Sequence, residues 1–276
     1  VGGVETLFKS SADTVQEYAN NAYKTAGLSA NEYMETVTSF SASLLQSMGN
    51  DTQAAAEKAN RAITDMSDNA NKMGTDMKSI QNAYQGFAKQ NYTMLDNLKL
   101  GYGGTEEEMQ RLIDDANALN AAQGNYTSYT IESYADIVDA IHTVQTEMGI
   151  TGTTALEAST TIQGSVGAVK SAWKNLVAGL ANDNANLDTL VTNLLDSITT
   201  AGNNVIPRIE SALAGISQVI AGASQTIIPM VISTITNMLP QLLAAGASLV
   251  SAIGTGIADN LPAIVSAAAG VIVQLS

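Results

Sequence analysis

Apolar positions recur three or four residues apart over much of the chain, the spacing that lines one face of an α-helix. Tyr33, Val37, Phe40, Leu44 and Met48 make one stripe, opened by the capping box Ser29-Ala30-Asn31-Glu32 and ended by Gly49. Asp51 caps a second predicted helix, which runs toward Gly74 through Ala55, Ala59, Ala62, Ile63 and Met66. Thr105-Glu106-Glu107-Glu108 reads as another capping box, with three carboxylates in the first turn, where the helix dipole favours them. Met109, Leu112, Ile113, Ala116 and Leu119 follow as its stripe. Ser133 starts a further helix through Ile137, Val138, Ile141 and Val144, closed by Gly149. Thr154-Ala155-Leu156-Glu157 reads as a third box, opening a long segment through Trp173 and Leu176. No segment alternates with the two-residue period of a strand. The predicted fold class is all-α, with several amphipathic helices ahead of an apolar helical segment.

That last segment repeats. Pro207, Pro229, Pro240 and Pro262 are separated by 22, 11 and 22 residues. An 11-residue frame aligns Ile209, Ile220, Val231, Leu242, Ile253, Ile264 and Leu275 in one column. Eleven residues make three helical turns at about 3.67 residues each, so the stripe runs along a nearly straight or slightly right-handed helix. Prolines at these intervals fit one long kinked helix or a stack of short ones equally well.

Charge changes at the same place. The 276 residues hold 12 Lys+Arg against 26 Asp+Glu, a net charge of -14. Residues 1–204 carry 24 of the acidic and 11 of the basic residues, and 211–258 carry no charge. The sequence therefore divides into an acidic helical region, 1–204, and an uncharged apolar repeat, 205–276, with the polar run 199–204 as the linker ahead of Pro207. The chain opens at Val1 without a signal-like segment and closes inside an apolar run, so it reads as a piece of a longer protein.

Composition removes whole classes of chemistry. Cysteine is absent, which excludes disulfides, thiolate metal sites and thiol nucleophiles. One histidine, His142, rules out most zinc constellations. The acidic balance argues against tracking phosphates on nucleic acid, and no specific nucleic-acid binding is expected. Gly101-Tyr102-Gly103-Gly104-Thr105 precedes a helix as a phosphate loop does, but three glutamates stand where the lysine and hydroxyl residue belong. It reads as a left-handed turn before a capped helix. His142 reads as a surface or helix-packing residue that could share a face with Asp139. Residues 112–169 have no basic residue and seven acidic ones: Asp114, Asp115, Glu132, Asp136, Asp139, Glu147 and Glu157. They read mainly as a solvated face, otherwise as a wall meeting a basic partner. Asn50-Asp51-Thr52, Asn91-Tyr92-Thr93 and Asn125-Tyr126-Thr127 match the glycosylation pattern, read as chance. No catalytic, cofactor-binding or metal-ligating residue is predicted, and the chain does not read as an enzyme. The run 227–257 has no charge over 31 residues. It reads first as a self-associating helix, then as a conditional membrane inserter, and last as a resident span.

Several strings are similar to one family. Gly27-Leu28-Ser29-Ala30-Asn31-Glu32-Tyr33-Met34, the run 65–74 (DMSDNANKMG) and the run 84–98 (YQGFAKQNYTMLDNL) resemble the core region of phage tail tape measure proteins. Leu100 to Thr105, Ser133-Tyr134-Ala135-Asp136-Ile137 and Glu147 to Thr154 extend the resemblance over roughly residues 25–215. The proline-spaced repeat is also similar to segments that follow this region in tape measure proteins of Gram-positive hosts. The resemblance implies a structural protein of the virion that lies in the tail tube, sets its length and leaves ahead of the DNA. It implies as partners other copies of itself, the tail tube protein, tail assembly chaperones and tail tip proteins, with transient host membrane contact through 205–276. It implies no catalytic motif and no cofactor. The competing reading is a membrane-active pore-forming effector with an acidic helical head and an apolar tail.

Overall fold

A computed structural model of the chain describes residues 2–181, 185–220, 233–238 and 248. Among these residues it contains ten α-helices, two short 3-10 helices and no strand. The helices are α1 (Gly2–Phe8), α2 (Ala12–Thr25), α3 (Ala30–Ser47), α4 (Thr52–Met73), α5 (Met77–Phe87), α6 (Glu106–Ala122), α7 (Tyr134–Glu147), α8 (Thr153–Thr160), α9 (Ile162–Leu180) and α10 (Leu187–Ile220). The all-α expectation holds. The chain forms two compact units, Val1–Arg208 and Ile209–Ser276. Of the second, the described residues are the last turns of α10, the helical residues 233–238, and Ser248. The expected repeat beyond Ile220 otherwise lies outside the described residues, as does most of the run 227–257. Among the described residues no helix is long and apolar enough to cross a membrane.

In the first unit α4 is the hub, packed against α1, α2, α3, α5, α7 and α8. Its buried face consists of Ala55, Ala56, Ala59, Ala62, Ile63 and Met66. Small side chains let neighbouring helices approach on every side, and the larger residues come from the partners: Phe8, Tyr33, Phe40, Leu44, Tyr84, Phe87, Leu112 and Ile141. Phe40 meets Tyr134 edge-on with ring centroids 6.4 Å apart, fastening α3 to α7. A second small cluster joins Tyr23 of α2, Ala158 of α8, and Ala168 and Ala172 of α9, with Leu194 of α10 packed against it.

The helix starts follow capping chemistry, with instructive departures. Ser29 and Glu32 form the full reciprocal box. Asp51 accepts from the Gln53 and Ala54 amides, and Gly74 closes α4 in the left-handed region. At α6 only half the expected box forms: Thr105 Oγ1 accepts from Glu108 N, but the Glu108 side chain turns to the Gly103 amide instead. The third box does not form. The α8 N-cap is Gly152, at φ 83°, and Thr154 lies one residue inside the helix because Asp68 of α4 takes its amide. The long segment expected after Thr154 is also broken. Thr161 is extended, at φ −112° and ψ 154°, and its hydroxyl accepts from Gly164 N to start α9 afresh. The polar run 199–204, expected as a linker, is helical and lies inside α10, which continues through Pro207.

Candidate functional site

Where would chemistry sit in this unit? The densest buried polar group is on α4, one turn beyond its alanine face. Asp65, Asp68 and Asn69 are each no more than 1% exposed. A helix surface this buried tolerates carboxylates only if each finds partners. Asp65 receives His142 Nδ1 of α7, 2.9 Å from both carboxylate oxygens. When Asp65 is ionised it can only accept, and Nδ1 is then the donor. Asp68 accepts from two backbone amides of the α8 start, Gly152 N at 2.6 Å and Thr154 N at 2.8 Å. The Asn69 amide donates to Gln145 Oε1 at 2.8 Å and to Leu98 O at 2.9 Å. Gln145 in turn donates to Asp65 O at 3.2 Å. One turn earlier, Lys58 and Arg61 of α4 both pair with Asp139 of α7.

Burial dominates the electrostatics here. It pushes the Asp65 carboxyl above the ordinary carboxylate range, against the opposing pull of the His142 hydrogen bond and charge. Burial likewise pushes the Tyr84 and Tyr134 hydroxyls well above their usual range. Neither hydroxyl has a hydrogen-bond partner, nor does Asn69 Oδ1. An imidazole held by a buried carboxylate is the orienting part of a hydrolytic triad. Among the described residues the side-chain hydrogen bonds of His142 go to Asp65, so this pair joins α4 to α7.

The residues singled out by sequence are placed as follows. His142 bonds Asp65, 77 residues away, and not Asp139 on its own helix, which instead takes Lys58 and Arg61. The glycine loop before α6 does make the left-handed turn, with Gly101 at φ 90°. Its anion-seeking amide is already filled: Gly103 N donates to Glu108 Oε2 at 2.8 Å, and Arg111 bridges Glu108 to Gly101 O. Arg111 and the Gly103 amide pull the Glu108 carboxyl down to about 2. Of the acidic residues in 112–169, Asp114, Glu132 and Glu147 are solvated. Asp115 accepts from the Tyr102 hydroxyl at 2.7 Å, and Asp136 from Thr130 N at 3.1 Å. Asn91 and Asn125 of the glycosylation-like triplets close local turns with the amides of Thr93 and Thr127.

A cleft of about 570 Å³ lies between α2, the start of α3, α9 and α10, lined among others by Gln16, Asn20, Lys174, Asn175 and Asn186. Asn175 Oδ1 accepts from Ala30 N at 2.7 Å, while Lys174 pairs with Glu32 at 2.6 Å. Among the described residues no group of three or more His, Asp or Glu stands close enough to hold a metal ion. Sequence reasoning misses the network on α4 because polar residues on a predicted helix read as its wet face. Its one legible sign is the density of Asp65, Ser67, Asp68 and Asn69 straight after an apolar face.

No protein family, curated protein or solved structure matches this chain.

Proposed function

We propose that the chain is the core region of a phage tail tape measure protein, a structural component that sets tail tube length, occupies the tube and leaves it ahead of the DNA. The observation that carries the reading, beside the resembling strings, is α10. This single helix of 34 residues bears the 11-residue frame from its first residue: Leu187 and Ile198 extend the column of Ile209 and Ile220 backward by two periods. A helix rises about 1.5 Å per residue, so α10 spans about 51 Å, and every further period adds about 16 Å. Fixed rise per residue is what a ruler needs. In this reading the compact first unit is a head, and α10 with the following repeat is the measuring part. The partners are other copies, the tube protein, assembly chaperones and tip proteins. The acidic surface lets the chain move ahead of DNA without gripping it.

The test deletes the codons for residues 211–254, four periods, from the full gene, with tails measured by electron microscopy. Tails shorter by about 66 Å, the rise of 44 helical residues, support the reading. Unchanged tails with normal infection refute it.

A further inference from the structure

Three segments of the first unit meet around a cavity of about 330 Å³: the last turns of α3, the turn that ends α5, and the stretch entering α7. A volume of this order suits a small group or molecule. The floor is hydrocarbon. Phe87, Tyr134 and Ile137 line it and are no more than 6% exposed, with Ile131 partly buried beside them. The rim is polar and includes Ser43, Gln46, Gln90 and Glu132. The side chains of these four make no hydrogen bond or ion pair with any described residue. Elsewhere in the unit carboxamides are spent on joining elements, as Asn69, Gln145 and Asn175 are. Here two of them stand unused around one opening, beside an unpaired carboxylate. Negative charge collects on this side. The Tyr92 ring lies 6.3 Å from that of Phe87, and burial first, then the charges of Glu106 and Glu132, push its hydroxyl above the usual range. Among the described residues no lysine or arginine lines the cavity; Lys89, between two lining residues in sequence, is exposed and stands outside it.

We infer that this cavity binds an alkylammonium ion, a primary amine on a short hydrocarbon chain, with Glu132 pairing the charge and Phe87, Ile131 and Ile137 covering the methylenes. The chemistry of the lining selects this class. An anion would meet a carboxylate and no cation, so the sign of Coulomb's law turns it away. A divalent metal ion needs several hard oxygen ligands, and among the described residues no three acidic or histidine side chains stand together. A wholly apolar molecule covers the floor but displaces water from the rim without replacing its hydrogen bonds. An ammonium head offers three donors, which the Glu132 carboxylate and the side-chain carbonyls of Gln46 and Gln90 can accept. Its stem then lies on aromatic and aliphatic carbon, as lysine stems do on protein surfaces. The wider field works in the same direction, since residues 1–204 hold 24 acidic against 11 basic residues and draw cations toward the surface. Two sources carry this group: a free aliphatic diamine, and a lysine side chain of another protein. The inference stands apart from the tape-measure reading. It rests on the cavity alone, and the tail-length test leaves it untouched.

The test titrates cadaverine, a five-carbon diamine, into the whole chain at low salt, followed by calorimetry and by amide NMR. Saturable binding with a Kd on the order of 1 mM is expected, with the shifted amides grouped at Gln46, Gln90 and Glu132. Glu132→Gln removes the charge from an exposed side chain and should weaken binding about fivefold, the upper range for a solvent-facing ion pair. Ser47→Phe, at an exposed position on the rim, should fill the opening and abolish binding with the helical circular dichroism retained. Pentanol, of the same length without the charge, and pentanoate, of opposite charge, should each bind at least tenfold more weakly than the diamine. Nα-acetyl-lysine methylamide separates the sources. Affinity comparable to the diamine supports the site as a seat for a partner's lysine, and affinity at least tenfold weaker supports it as a seat for a free amine. Three results overturn the inference: no saturable binding of either amine up to about 20 mM, an affinity unchanged in both Glu132→Gln and Ser47→Phe, or pentanol binding as tightly as the amine.

Discussion

Replacing Asp68 is expected to detach α8 from α4. The carboxylate is fully buried and accepts two short hydrogen bonds from the first amides of α8, at 2.6 and 2.8 Å. It satisfies donors that the helix itself cannot, and sits where the helix dipole favours negative charge. A hydrogen bond to a charged group contributes about 1.5–3 kcal/mol. Asp68→Ala removes the acceptor of both and leaves two buried amides, so the loss should be about 3–5 kcal/mol. For a unit of this size that lowers Tm by roughly 10 °C. Asp68→Asn keeps one acceptor oxygen but turns an amide group toward the second donor, so it should lose about half as much. Urea denaturation followed by circular dichroism gives the magnitude, and hydrogen exchange locates it: amides of Thr153–Thr160 should lose protection before those of α3 and α4. If Asp68→Ala costs less than about 1 kcal/mol with α8 still protected, the clasp carries none of the stability assigned to it.

Three further results are expected. Gly104→Ala and Gly164→Ala would push a methyl into the Thr93 and Glu157 carbonyl groups, whereas a methyl at Gly103 meets only the flexible Glu108 side chain, at 3.4 Å. The first two should cost about 1–3 kcal/mol each by denaturation and Gly103→Ala little, an order whose reversal would contradict the packing. The Asp65 carboxyl, followed by carbon NMR, should titrate above the ordinary ~3.9. Its midpoint should climb further in His142→Gln, which removes the hydrogen bond and charge that hold it down; a fall would contradict the assignment. Glu32 has the opposite sign: burial raises it, but the hydrogen bonds from Lys174 and Ser29 outweigh burial and leave it below the ordinary value. Its stabilising contribution is present above the unfolded value, ~4.3, and disappears as pH falls through the lower folded one. Glu32→Gln should flatten the acid side of the stability profile by less than about 1 kcal/mol, given its exposure.

The helices α3, α4, α6 and α7 are legible because each carries an apolar stripe behind a capping residue, and those stripes are the ones buried. What escapes the sequence is set by distant contacts. The Thr154 box is locally sound, but an amide cannot serve Glu157 and Asp68 at once, and Asp68 lies 86 residues away. The break at Thr161 has no proline or charge to announce it, only three β-branched residues, Thr160, Thr161 and Ile162, that give up little in leaving the helix. Asp76 capping α5 through the Ser79 amide is within reach of the same rule that finds Asp51. The partner of His142 is not, because no sequence spacing relates it to Asp65.

The composition joins these findings. Short of large hydrophobes, the chain packs α4 through alanines, which bring helices close but discriminate weakly between neighbouring registers. Register is then fixed by directional contacts that a one-turn slip would break: Asp65 to His142, Asp68 to the α8 amides, Asn69 to Gln145, and Asp139 to Lys58 and Arg61.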